Sequence, residues 1–145
     1  MQPRITPDID VMTPDKCRLV RQTFPLLREY EISLPLLFYG KLFELDPGAR
    51  KLFHNDLALQ SRKLLDMLAS VVEFLDNLDS LRARLTELGR KHADYGVRPE
   101  QYDTLTTALL WAIAQALGPD FDNATHDAWR CAIQSVSRIM KAGAA

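Results

Sequence analysis

From Thr13 onward, apolar residues recur at every third or fourth position, and no stretch alternates apolar with polar side chains. That periodicity restricts the chain to helices, and an amphipathic helix must bury its stripe against another helix. The breaks are sharp: Asp46-Pro47, Asn77 to Ser80, Gly96 to Pro99 and Gly118-Pro119 divide the sequence into helical lengths. At 145 residues the chain suits one domain with a full core. The expected fold class is all-α.

The segments can be placed one by one. Thr13-Pro14-Asp15 starts a helix: a capping hydroxyl, a proline tolerated in the first turn and a carboxylate at the positive end of the dipole. Its stripe of Cys17, Val20, Phe24 and Leu27 ends near Glu29 or Tyr30. A second helix carries Leu36, Leu37, Tyr39, Leu42 and Phe43 and stops at Asp46-Pro47. The turn PGARKLF leads into a long helix from about Leu57 to Leu75. Asn77, Asp79 or Ser80 is expected to cap a helix from Leu81 to His92. Pro99 opens the next helix, to Gly118-Pro119, and Asp122 or Asn123 caps the last, ending near Lys141. Pro25 and Pro35 lie inside apolar patterns and should each mark a corner or kink. Residues 1–12 read as a flexible leader, and 13–145 as the domain.

Composition removes several functional classes. The net charge of −1 gives no footing for nucleic acid or an anionic membrane as partner. Apolar runs such as SLPLLFYG are far below the ~18 residues that a membrane span needs. The N-terminus has no apolar stretch of the kind a secretory signal requires. Cys17 and Cys131 sit in apolar helical patterns and read as reduced packing residues, which suits the cytoplasm. No phosphate-binding glycine loop, HExxH or CxxC is present, and His54, His92 and His126 are too dispersed to suggest a zinc site.

What remains is one histidine beside an apolar pocket. Leu81, Leu85, Leu88 and His92 share a helical face, while Arg82, Arg84, Glu87 and Arg90 occupy the others, so His92 points into the core. A buried histidine satisfied by a neighbour is the plain reading. A neutral imidazole in apolar surroundings is equally what an iron porphyrin takes as an axial ligand. Gly89 and Gly96 flank it and could admit a flat group close to the backbone. On the long helix Gln60, Leu64, Leu68 and Val71 form one stripe, apolar except for Gln60 at its open end. Tyr39 is the polar tip in the row Leu36, Tyr39, Leu42, Phe43, and it could either reach a backbone carbonyl or face the same cavity.

These residues resemble a globin, specifically the single-domain bacterial haemoglobins and the haem domain of flavohaemoglobins. The resemblance rests on FYGKLFELDPGARKLF, LQSRKLL, LGRKHADYGV, the tyrosine of PEQYDTL and DAW at 127–129, in the family's order and spacing from about Met12 to Met140. It implies a three-on-three helical sandwich crossing at about 50° around haem b, with His92 as the proximal iron ligand. It also implies Phe53 packed on the porphyrin, Gln60 as the distal residue, Tyr39 above the iron and Leu64 lining the ligand site. Leu68, Leu88, Val97, Tyr102 and Leu105 complete the implied cofactor pocket. Lys63 and Lys91 are its candidates for the haem propionates, with solvated lysines as the alternative.

The implied activity is reversible binding of O2, and of NO or CO, for storage, delivery or scavenging. An alternative is nitric oxide dioxygenase, which oxidises NO to nitrate and would need a separate reductase. A haem-based gas sensor is the third reading. Two departures qualify the resemblance. Phe53 and Gln60 are only seven positions apart, which leaves no room for a separate D helix. Flavohaemoglobin-like pockets pair a proximal tyrosine with a C-terminal glutamate, yet no Asp or Glu follows Asp127, so the relay through Tyr102 is incomplete and strongly peroxidase-like chemistry is not expected.

Overall fold

The computed structural model describes residues 12–53 and 57–144, and these form six α-helices joined by short turns, with no strand among them. The helices are α1 (Pro14–Arg28), α2 (Ser33–Leu45), α3 (Leu57–Glu73), α4 (Arg82–Asp94), α5 (Gln101–Leu117) and α6 (Asn123–Ala144). They build the expected three-on-three sandwich of a globin fold. α4 lies on α6, α1 on α6 and α5, α2 along α5, and α3 against α1 and α2. Residues 1–11 of the expected leader lie outside the described residues. Met12, assigned to that leader, instead packs against the core.

Local signals explain most boundaries. Thr13 caps α1, its hydroxyl accepting the Lys16 N–H at 3.2 Å. Asp122 caps α6, its carboxylate accepting the Thr125 N–H at 2.8 Å. Pro25 and Pro35 do not make a corner each. Pro25 sits in α1 shortly before its end, and Pro35 sits in the first turn of α2, where its missing N–H would have no helical partner anyway. The two therefore bracket a single corner at residues 29–32. α4 also differs from expectation: no side chain caps it, and the chain winds into it through a 3-10 turn at Leu78–Leu81. The PGARKLF segment forms a second 3-10 turn, Pro47–Leu52. With α3 starting at Leu57, no separate D helix of ordinary length fits between them.

The core is apolar, and its buried indole is satisfied. Trp129, 1% exposed, donates its indole N–H to Thr23 Oγ1 at 2.8 Å, and Thr23 passes its own hydroxyl proton to the Leu19 carbonyl at 2.8 Å. Cys17 and Cys131 are buried free thiols. Two long-range polar contacts hold the elements around the central gap. Arg21 on α1 donates to the Val72 and Glu73 carbonyls, each at 3.1 Å, and to Asp76, so one guanidinium closes the C-terminal end of α3. At the other end Gln101, buried at the start of α5, donates to the Asp46 carboxylate at 3.0 Å and accepts the Arg98 N–H at 2.8 Å. That side chain ties the end of α2 to the corner that follows α4.

Candidate functional site

α3 and α4 do not pack on one another as the other neighbouring helices do; α3 rests on α1 and α2, and α4 on α6. Between them opens a cleft of about 370 Å³, floored by Met67, Ala83 and Leu88 and edged by Arg84, Glu87 and Lys91. The helix that carries His92 thus presents one face to the body of the protein and another to a gap.

His92 is half-buried on α4, one turn beyond Leu88, which lines the cleft. Its Nδ1 lies 2.8 Å from the Leu88 carbonyl oxygen. A carbonyl can only accept, so Nδ1 carries the proton, and the lone pair of the neutral ring is left on Nε2. Burial pushes the imidazole pKa down, outweighing the opposite effect of the carbonyl bond. A neutral ring with its orientation fixed from behind and a free Nε2 is the donor that a ferrous or ferric porphyrin requires.

Beside His92 lies Tyr102, 3% exposed, whose ring stacks near the imidazole with centroids 6.4 Å apart. Its hydroxyl is buried without a hydrogen-bond partner among the described residues, and burial raises its pKa. Lys141 lies over the Tyr102 ring at 6.0 Å and pairs with Asp103 at 3.8 Å. Val97 and Leu105 are half-buried against the core beside these residues, and the Val97 N–H is held by the His92 carbonyl at 2.9 Å. Since the Tyr102 hydroxyl has nothing to lose, Tyr102→Phe should leave the melting temperature unchanged or raise stability by up to ~1 kcal/mol. Peroxidase turnover of the haem-loaded variant should change only slightly. A large loss of turnover would show that an acid reaches this tyrosine in solution.

A second cluster, around α2, is aromatic. Tyr39, 6% exposed, is boxed by Phe38 (5.0 Å between centroids), Phe43 (6.2 Å) and Phe53 (5.2 Å, edge-on). Burial pushes its pKa up to about 12. No described residue accepts a hydrogen bond from its hydroxyl, so the alternative in which Tyr39 is tied to a backbone carbonyl finds no support in the geometry. The α3 stripe deepens along the helix as its spacing predicts: Gln60 and Leu64 are half-buried, Leu68 and Val71 buried. Lys63 and Lys91 are both exposed and make no ion pair with a described residue, which leaves them available to an anionic group at the rim.

The structure brings His92, Leu88 and Tyr102 together at α4 and α5, and Tyr39 and Phe53 together at the end of α2, while the Gln60–Leu64–Leu68 stripe lies on α3; of these residues Leu88 lines the cleft. Two expectations need adjusting. Gly89 does not admit a flat group: a Cβ there would overlap the backbone of Met140 on α6. Gly96 has φ +103° and serves the turn after α4. The sequence reading also passed over Phe38 as a neighbour of Tyr39 and Met67 as the α3 side of the cleft. Phe43 had been placed in the Tyr39 row, and its spacing of four residues was the available signal that the two rings meet.

Comparison with known proteins identifies the family and the fold. The globin family model matches residues 36–140. A flavohemoprotein of Xylella fastidiosa is 28% identical over 132 residues, covering 89% of this chain and 33% of that protein. A globin-like protein of Aquifex aeolicus is 28% identical over 109 residues, covering 75% of this chain and 78% of its own length. The chain therefore spans about a third of the length of the flavohemoproteins it matches. Among solved structures, an engineered carbene transferase named for a nitric oxide dioxygenase of Rhodothermus marinus superposes with a TM-score of 0.83 at 26% identity, covering 92% of this chain and 94% of that one. A bacterial globin of Campylobacter jejuni superposes at 0.81 with 23% identity, covering 91% and 96%, and supports the fold alone.

Proposed function

Because this chain belongs to the globin family, with the haem binding that membership implies, we propose that it holds haem b between α3 and α4 and binds O2 reversibly there, with NO and CO as further ligands. The observation that carries this reading is His92: a neutral imidazole one turn beyond the cleft-lining Leu88, its Nδ1 engaged by the Leu88 carbonyl and its Nε2 free. Haem would supply an iron centre with one coordination position open to a diatomic gas.

The chain's own residues do the rest. His92 anchors the cofactor. Leu88, Val97, Leu105 and Leu68 enclose it in apolar surface and keep water out, Phe53 packs on its face, and Lys63 and Lys91 meet its propionates at the rim. Tyr39 and Gln60 are the hydrogen-bond donors on the ligand side. Tyr39, with its pKa near 12, stays protonated through the physiological range and keeps its O–H available. Leu64 limits the room beside them. The described helices include none long and apolar enough to cross a membrane, and we place the protein in the cytoplasm, where its two thiols stay reduced.

Absorption spectra of the purified protein, ferric and ferrous with and without CO, test the cofactor assignment: a protein that takes up no haem, or whose ferrous form is blind to CO, would overturn it. Nitric oxide dioxygenase is the second reading, favoured by the flavohemoprotein relatives, and would draw electrons from a separate reductase. Rapid mixing of the oxygenated protein with NO decides between them. Oxygen carriage predicts no sustained turnover when a reductase and NADH are added; repeated cycles of nitrate formation would establish the dioxygenase.

A further inference from the structure

α4 and α6 meet backbone to backbone at a pair of reciprocal glycines. A Cβ on Gly89 of α4 would overlap the carbonyl and Cα of Met140, and a Cβ on Gly143 of α6 would overlap the carbonyl and Cα of Thr86. The obstruction in each case is main chain, which no rotamer change can relieve, so even alanine at either position forces the helices apart. Normal contact between heavy atoms is ~3.5–4 Å, so the required separation is on the order of 1 Å. Gly40 is the opposite case: a Cβ there meets nothing within 4 Å.

The crossing lies close to His92 and Tyr102. Gly89 is one residue past Leu88, whose carbonyl orients His92, and less than one turn before His92 itself. On the α6 side Lys141, between Met140 and Gly143, reaches Asp103 and the face of Tyr102 on α5. The last turns of α6 therefore touch both helices that supply His92 and Tyr102. α4 starts without a side-chain cap and has no packed partner across the gap toward α3, so α6 is the surface that sets its depth.

We infer that Gly89 and Gly143 are positioning residues for His92: the glycine crossing sets how far the imidazole stands from the cofactor pocket. The inference rests on His92 being the iron ligand. A helix displaced by about 1 Å would shift the His92 ring relative to α5 and Tyr102, and misplacements of that size carry large rate effects even when they arise away from the reacting atoms.

The test compares haem-loaded Gly89→Ala, Gly143→Ala and Gly40→Ala with the parent protein. The readouts are the iron–imidazole stretching band of the ferrous form by resonance Raman, the CO association rate, and the melting temperature of each protein. Gly143 is half-buried in the last turn of α6 whereas Gly89 is buried, so Gly143→Ala is the milder of the two changes and keeps the test decisive even if Gly89→Ala does not fold. The expected result is a displaced iron–imidazole band and a change of roughly tenfold in CO association for Gly143→Ala, the same or more for a folded Gly89→Ala, and neither change for Gly40→Ala. A lower melting temperature in Gly143→Ala with band and CO rate unmoved would reduce the crossing to ordinary packing and overturn the inference. An unchanged protein by all three measures would overturn it as well. Failure of the underlying assignment looks different, because the parent itself would then show no iron–imidazole band.

Discussion

Replacing His92 by alanine is expected to abolish tight haem retention. The side chain contributes an imidazole on α4 whose Nε2 is free and whose orientation is fixed from behind by the Leu88 carbonyl. Loss of an outer-shell partner at a metal site typically costs ~10–100-fold in affinity, and loss of the ligand itself should exceed that. The variant should purify largely without haem and surrender what remains quickly to an apoglobin trap. Because His92 is only half-buried, the apoprotein should still show the helical far-ultraviolet spectrum of the parent. A His92→Ala protein with full haem content and an unchanged ferrous–CO spectrum would show that the iron is held elsewhere.

Tyr39→Phe is expected to speed O2 release by about tenfold or more while leaving CO release nearly untouched. A hydrogen bond to a charged acceptor is worth ~1.5–3 kcal/mol, and ~1.4 kcal/mol corresponds to a factor of ten. O2 gains more negative charge than CO on binding to ferrous haem, so the two gases separate hydrogen bonding from a mere change of shape. The Phe38, Phe43 and Phe53 rings hold the residue 39 ring in place, so the substitution deletes the hydroxyl with little rearrangement. The pKa near 12 adds a second signature: O2 release from the parent should stay flat to about pH 10, where an ordinary tyrosine would already be losing its proton. Equal and small shifts for both gases would take Tyr39 out of the site.

Periodicity and punctuation made the architecture legible before any coordinates. The Thr13 cap, the Asp46-Pro47 stop and the Asp122 cap act within a single turn, so the local sequence carries their whole cause. His92 was legible for the same reason, because its offsets from Leu81, Leu85 and Leu88 decide which way it faces. What escaped the sequence was set by contacts between distant segments. Gly89 looked like room for a cofactor because nothing in its neighbourhood announces Met140, far along the chain. Asn77, Asp79 and Ser80 looked like caps, yet the chain takes a 3-10 turn instead, and Asp79 spends its carboxylate on Arg82 at 3.0 Å. The unpartnered Tyr102 hydroxyl was likewise invisible, since burial of that atom depends on α4 and α6 arriving together.

The bridge from Asp46 through Gln101 to the Arg98 amide spans 55 residues of sequence between its two side chains. It works as a strut of fixed length between the helix that bears Tyr39 and the corner below His92. Arg21, reaching from α1 to the C-terminal end of α3, braces the opposite end in the same way. The frame around the gap is therefore set by Arg21, Asp76, Asp46 and Gln101, residues remote from one another in sequence, rather than by the residues that line the gap.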